Sequence, residues 1–351
     1  MDELEREYGV KNPIKLASNE NAWGSSPKAI AAIRETLTDL HRYPDGSNYY
    51  LVQAIAARTG FAADEIIIGN GSDEIIEFLV KACVEMGDEV ITSHPSFLMY
   101  QKVVQVRGGV NTVLPLKEMK HDLEAIAAAV TDRTRLIFLD NPNNPTATAI
   151  NPHAFQEFLA ELPESLVVVL DEAYVDFMDP EVRIDVDSLI HNDEGRCGVV
   201  SLRTFSKAYG LAGIRVGFGL MSAEIAGYLH RVRQPFNVNK LAQVAAIAAL
   251  EDDDFYQKTI EGTRNGMEWL QKEVDALGCT SYPSQTNFFL IDVKGDAADL
   301  YEAMLYKGVI IRSMKAYGYQ NVIRVTVGTT AENERFIAAL GECLRELSYV
   351  A

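Results

Sequence analysis

The sequence is poor in cysteine: it has four among 351 residues, at positions 83, 197, 279 and 343, and no C-x-x-C pair. Single, widely spaced cysteines exclude a disulfide framework and a cysteine-based zinc site, so no metal is expected and a reducing cytoplasm fits. The chain also lacks an apolar run long enough to cross a bilayer. Its opening, Met1-Asp2-Glu3-Leu4-Glu5-Arg6, is charged and has no apolar core of the kind an export signal needs. Basic residues are in deficit, 32 Lys and Arg against 50 Asp and Glu, for a formal charge of -18. A surface of that sign repels phosphate backbones and anionic lipids, which argues against nucleic-acid and membrane partners. No internal repeat or low-complexity linker interrupts the chain.

What is present is the composition of an ordinary globular enzyme, 48% hydrophobic and 23% charged, with enough chain for one large unit and a smaller one. Between about residue 50 and residue 220, short apolar runs alternate with helical segments. The runs are Ile66-Ile67-Ile68, Glu89-Val90-Ile91, Leu136-Ile137-Phe138-Leu139, residues 166–170, Val199-Val200-Ser201-Leu202 and Val216-Gly217-Phe218. This rhythm predicts an α/β fold with a mainly parallel, buried central sheet flanked by helices. Residues 241–250 form a strong helix, after which long helices alternate with strands expected at 287–292, 308–312 and 322–327, the pattern of a smaller α+β part. The expected division is a large part over 30–245 and a small part made of 1–29 with 246–351.

In open α/β sheets ligands bind beyond the carboxyl ends of the strands, so the residues following each apolar run carry the chemistry. After Ile68 comes Gly69-Asn70-Gly71-Ser72-Asp73-Glu74 and then an amphipathic helix. Such a turn either seats an anion on backbone N–H groups and the Ser72 hydroxyl or is a plain loop capped by Ser72 or Asp73. After Leu139 comes Asp140-Asn141-Pro142-Asn143-Asn144-Pro145-Thr146, a proline-stiffened turn that presents Asn144 or serves structure alone. After Leu170 comes Asp171-Glu172-Ala173-Tyr174, where Asp171 is either a site carboxylate or a helix cap. After Leu202 the chain reads Arg203-Thr204-Phe205-Ser206-Lys207-Ala208-Tyr209-Gly210-Leu211-Ala212-Gly213-Ile214-Arg215-Val216-Gly217. A lysine among hydroxyls between two apolar strands, with an arginine eight residues on, is hard to place on solvated surface.

The pattern S-K-x-x-G-L-A-G-x-R-x-G, with N-N-P-T and D-E-A-Y upstream in that order, resembles the fold-type I aminotransferases, which use pyridoxal 5'-phosphate (PLP), over nearly the whole chain. Residues 16–21, 42–45, 233–239 and 323–328 resemble the histidinol-phosphate branch of that superfamily. The resemblance implies that Lys207 holds PLP as a Schiff base and that Asp171 pairs with the protonated pyridine nitrogen. Asn144 and Tyr174 would hydrogen-bond the ring hydroxyl, and Phe97 would stack on the ring. Gly71, Ser72, Ser206 and Arg215 would seat the phosphate, with Asp73 and Thr204 beside them and Tyr43 reaching in from the other subunit of a homodimer. Arg324 would clamp the substrate's anionic group, with Arg312 and Asn21 in the same substrate site.

The implied reaction is ping-pong transamination between an amino donor and a 2-oxo acid: histidinol phosphate with 2-oxoglutarate. The alternatives are an aromatic amino-acid aminotransferase and a PLP-dependent decarboxylase of a phosphorylated amino acid. Two departures stand out. Ala147 replaces the glycine that usually follows N-N-P-T, which puts the backbone angle there in question, and Asn21-Ala22-Trp23-Gly24 stands where N-P-x-G is common.

Overall fold

The protein is described here by a computed structural model covering residues 9–191 and 197–350 together with Arg6. Seven strands form the main sheet: β2 (Ile66–Gly69), β3 (Glu89–His94), β4 (Val110–Pro115), β5 (Thr134–Asp140), β6 (Val167–Asp171), β7 (Gly198–Thr204) and β8 (Gly217–Leu220). Their order is β2-β8-β7-β6-β5-β3-β4, and β8 alone runs against the others. The expected parallel, buried sheet is therefore present. The added strand β4 lies at the sheet edge, where its outward valines Val110 and Val113 stay exposed, and it lacks the continuous apolar run that marks the inner strands.

Alternation along each inner strand feeds two cores. Ile66, Ile68, Ile137, Leu139, Val168 and Leu170 face one, with Phe155 and the small residues Ala242, Ala245 and Ala246 of helix Lys240–Leu250. Ile67, Leu136, Phe138, Val169, Val200 and Leu202 face the other, against Ile75, Phe78 and Leu79 of helix Ser72–Cys83. Period-two side chains on a sheet covered on both faces force this division. Burying a leucine- or phenylalanine-sized side chain contributes about 2 kcal/mol.

A second sheet, in the order β12-β13-β10-β9, comprises β9 (Thr280–Ser281), β10 (Phe288–Asp292), β12 (Arg312–Ser313) and β13 (Val322–Thr326). Its core takes Phe289, Ile291, Ile323 and Val325 together with Leu270, Leu300, Phe336 and, from the N-terminal segment, Leu16. The single strand expected over 308–312 is instead two short pieces. β11 (Val309–Ile310) pairs in parallel with β1 (Ile14–Lys15), while β12 pairs with β13. The break at Ile311 lets one segment serve two partners and ties the N-terminal segment to the second sheet. No helix among the described residues is long and apolar enough to cross a membrane, and none of their acidic, histidine and cysteine groups cluster as a metal site.

Candidate active site

The carboxyl ends of β2, β5, β6 and β7 converge on a cleft of about 360 Å³. The main sheet and its turns bring Ser72, Asp73, Phe97, Tyr100, Asp140, Asn144, Asp171, Tyr174, Thr204, Ser206, Lys207 and Arg215 to its wall. The N-terminal segment adds Lys15, Ser18, Asn19 and Glu20, and β13 adds Arg324.

At one end the helix Ser72–Cys83 begins beside an arginine and two hydroxyls. Gly71 has φ +82, a conformation that glycine adopts at little cost, and it ends the turn so that Ser72 opens the helix Ser72–Cys83 with its unpaired N–H groups. A side chain at position 71 would put its Cβ 2.6 Å from Nη2 of Arg215. Arg215 itself adopts a left-handed backbone (φ 60, ψ 77), which for a non-glycine residue costs about 1–2 kcal/mol. That conformation aims its guanidinium at Asp73 Oδ2 (3.0 Å) and Ser206 Oγ (3.5 Å). The Thr204 hydroxyl donates to Ser206 Oγ at 2.9 Å. Gly71, Ser72, Asp73, Thr204, Ser206 and Arg215 are thus assembled in one place.

In the middle sit Asp171 and Lys207. Asp171 ends β6, and its carboxylate accepts from the Tyr100 hydroxyl (2.8 Å) and the Ala173 N–H (3.1 Å). The short 3-10 turn that follows, Val175–Phe177, has Tyr174 as its N-cap, so Asp171 does not cap it. Burial pushes its carboxyl up to about 7 against the pull of the Tyr100 hydrogen bond, and among the described residues no basic side chain hydrogen-bonds it. A buried carboxylate in this state calls for a cationic partner. Lys207 follows β7 in a tight turn, and its Nζ lies 5.5 Å from the centroid of the Tyr174 ring. Phe97 stands edge-on to Tyr100, with ring centroids 5.5 Å apart.

At the other end Arg324 is buried, which lowers its pKa from the ordinary arginine value. It donates to Asn144 Oδ1 and to the Ala17 carbonyl (2.8 Å) and lies 4.9 Å from the Phe288 ring centroid, while its Nε has no acceptor among the described residues. Arg312 stands directly opposite Arg324 in the β12–β13 ladder, on the same face of the sheet, but is exposed and outside the cleft lining. Asn21 also lies outside the lining. Its carboxamide donates to the carbonyls of Lys207 (3.2 Å) and Ala208 (3.0 Å) and to Thr259 Oγ1 (3.2 Å), clipping the lysine turn from behind. Tyr43 is 81% exposed, stacked on Phe236, and does not line the cleft of its own chain.

Ala147 does adopt the left-handed angle (φ 63) that its usual glycine would favour, and its methyl group is buried among Tyr174 and Phe288. The turn keeps its shape around an alanine.

Several wall residues carried no role in the sequence. Tyr100 reads there as an ordinary helix aromatic. Asp140 ends a strand as Asp171 does, a usable signal. It receives Ser96 Oγ (3.0 Å), Asn143 Nδ2 (3.0 Å) and the Asn144 N–H (2.8 Å), and so fixes the turn that presents Asn144. Asn19 donates to the Tyr174 hydroxyl at 2.8 Å.

The family description "Aminotransferase class I and II" matches residues 11–340. The chain is 66% identical to the histidinol-phosphate aminotransferase of Desulfotalea psychrophila over 350 residues, covering 100% of this chain and 92% of that protein. It is 46% identical to the histidinol-phosphate aminotransferase of Moorella thermoacetica, over 98% of this chain and 89% of that one. The crystal structure of histidinol-phosphate aminotransferase from Sinorhizobium meliloti in complex with pyridoxal-5'-phosphate matches with a TM-score of 0.91 at 32% identity, covering 99% of this chain and 94% of that one. Likeness of this extent, in sequence and fold alike, places the chain in the class I and II aminotransferases, among the histidinol-phosphate aminotransferases.

Proposed function

We propose that the protein is a PLP-dependent aminotransferase that moves the amino group of histidinol phosphate to 2-oxoglutarate. The observation that carries the assignment is the joint presence in one cleft of Lys207, the buried Asp171 with no basic hydrogen-bond partner among the described residues, and an anion seat at a helix N-terminus. A ligand with a phosphate at one end and a basic ring nitrogen within it satisfies both the seat and the carboxylate, and the residues present therefore fit PLP. When bound, PLP supplies an electron sink for the charge that develops on the donor carbon.

The roles of the chain's own residues follow from their places. Asp171 keeps a proton on the ring nitrogen. Ser72, Ser206, Arg215 and the first N–H groups of the helix hold the phosphate. Lys207 Nζ would bind the cofactor, and its free amine would carry the proton away from the donor carbon. Arg324 takes the substrate's anionic group, the phosphate of histidinol phosphate or a carboxylate of 2-oxoglutarate, with the exposed Arg312 on the same sheet face to strengthen a dianion's hold. The donor assignment draws its support from the relatives named above. We further propose a cytoplasmic homodimer in which the partner subunit's Tyr43 completes the phosphate seat; Tyr43 is exposed and does not line the cleft of its own chain, which leaves it free for that role.

Two substitutions probe the two ends of the cleft. Gly71→Ala is expected to raise the dissociation constant for PLP at least about tenfold, because the new Cβ displaces Arg215 and an L-residue resists φ +82. Titration of cofactor-free protein with PLP measures it. Arg324→Gln is expected to lower kcat/KM for both histidinol phosphate and 2-oxoglutarate by about 10–100-fold, the worth of a charge-assisted hydrogen bond. Steady-state kinetics with each substrate varied in turn measures this.

The function itself is tested by measuring glutamate formed from 2-oxoglutarate with histidinol phosphate, phenylalanine or phosphothreonine as the other substrate. Histidinol phosphate is expected to give the highest kcat/KM. Preference for phenylalanine would make the protein an aromatic aminotransferase, and carbon dioxide release from phosphothreonine without an oxo acid would make it a decarboxylase.

A further inference from the structure

We propose that Asn19 is a positioning residue that fixes the Tyr174 hydroxyl as an outgoing hydrogen-bond donor to the cofactor's ring oxygen. The inference rests on the PLP assignment above and adds a residue to which no role has been given.

Asn19 is 2% exposed, and every polar atom of it is engaged. Its backbone N–H donates to Thr326 Oγ1 at 3.0 Å, and the Thr326 hydroxyl returns a bond to Asn19 Oδ1 at 3.1 Å. Asn287 Nδ2 donates to the Asn19 carbonyl at 3.1 Å. The residue has φ +56, a left-handed conformation that asparagine tolerates better than most side chains. Because Thr326 receives one hydrogen from Asn19 and gives its own to Oδ1, the carboxamide presents its NH₂ group to Tyr174. The resulting bond from Asn19 Nδ2 to the Tyr174 oxygen is 2.8 Å long.

A phenol has one proton to give and oxygen lone pairs to receive with. The Tyr174 oxygen accepts from Asn19 and, over a longer 3.5 Å, from Asn144 Nδ2. Its proton is therefore directed away from both, into the cleft. Accepting a hydrogen bond also polarises the phenol and makes it a stronger donor. Turned the other way, the Asn19 carboxamide would take the Tyr174 proton for itself. Thr326 prevents that turn. Thr326 lies two residues beyond Arg324 on β13, so one strand holds both the substrate's anion clamp and the anchor of the Asn19 bond.

A stronger donor to the ring oxygen stabilises negative charge there and lowers the proton affinity of the nitrogen that joins Lys207 to the cofactor. Other charged groups share the cleft: Lys207, Arg324, Asp140 and Asp171, and the ion pairs Lys15–Glu20 and Arg215–Asp73. None of them hydrogen-bonds Asn19, whose partners are Thr326, Tyr174 and Asn287.

The experiment is a pH titration of the visible absorption of PLP bound to the wild-type protein and to the Asn19→Ala, Thr326→Val, Tyr174→Phe and Asn19→Ala/Tyr174→Phe variants. Asn19→Ala is expected to raise the titration midpoint by about half a unit to one unit, the size of one net hydrogen bond. Thr326→Val, which leaves Asn19 in place but frees its carboxamide, should move it in the same direction. Added to Tyr174→Phe, Asn19→Ala should produce no further shift, since the phenol through which it acts is gone. An equal shift with and without the phenol, or unshifted midpoints in both Asn19→Ala and Thr326→Val, would overturn the role of Asn19. A wild-type protein that forms no visible band with PLP would instead overturn the proposed function, and this inference with it.

Discussion

Replacing Lys207 with alanine is expected to lower turnover by at least about four orders of magnitude while the protein remains folded. Two functions vanish together: the amine that binds the cofactor, and the base that carries the proton from the donor carbon, a contribution that alone amounts to about 10²–10⁴. The fold should survive because the contacts of this turn run through its main chain. The Lys207 carbonyl accepts from Asn21 Nδ2 and from the Gly210 N–H, and alanine supplies the same carbonyl. Single-turnover kinetics with histidinol phosphate, alongside thermal denaturation, separates loss of chemistry from loss of structure. Turnover within tenfold of the wild type would remove Lys207 from the mechanism.

Asp171→Asn is expected to act in opposite directions on catalysis and on the stability of the cofactor-free protein. With PLP bound, the substitution removes the anionic half of a buried pair, a loss of about 3–5 kcal/mol that corresponds to a fall in kcat of about 10²- to nearly 10⁴-fold. Without PLP, the folded-state pKa of Asp171 is raised to about 7 by burial. A raised carboxyl pKa means that the folded state holds the proton more tightly than the unfolded one. This contribution is harmless below the unfolded carboxyl value of about 4, and stability falls as pH rises from there through about 7. Asparagine cannot ionise, so the variant should lack that decline and be more stable than the wild type above pH 7. Chemical denaturation of both cofactor-free proteins at pH 5 and pH 8 measures the difference. Equal pH dependence would show that Asp171 is not a buried charge awaiting a cation, and added PLP should flatten the wild-type curve.

The inner strands of the large sheet were legible because a strand covered on both faces must be apolar throughout, as in Ile66-Ile67-Ile68 and Leu136-Ile137-Phe138-Leu139. The chemistry was legible for a related reason. Where each such run stops, the next polar residue stands at the open edge of the sheet, as Asp171 does after Leu170. The edge strand β4 gave no such signal, since half-exposed residues need no continuous apolar run. The division of residues 308–312 between two ladders depends on a partner, residues 14–15, nearly three hundred positions away, and no local pattern encodes it.

Site residues divide along the same line. Those within the strand-to-turn motifs, from Ser72 to Arg215, can be read from their immediate context. Tyr100 and Asn19 cannot: the first is one aromatic among the residues of helix Met99–Arg107, and the second reaches Tyr174 only because Thr326 and Asn287 hold the N-terminal segment against the second sheet. Asn21, expected at the substrate, donates to the carbonyls of the lysine turn and to Thr259 in a helix far along the chain, contacts that no local pattern encodes.

The central claim, a PLP aminotransferase whose amino donor is histidinol phosphate, is tested most directly by adding that compound to the PLP-loaded protein in the absence of any oxo acid and following the visible absorption. The account predicts rapid loss of the visible band, recovery on addition of 2-oxoglutarate, and slower loss with phenylalanine. A band that persists with histidinol phosphate, or that fades faster with phenylalanine, would contradict it.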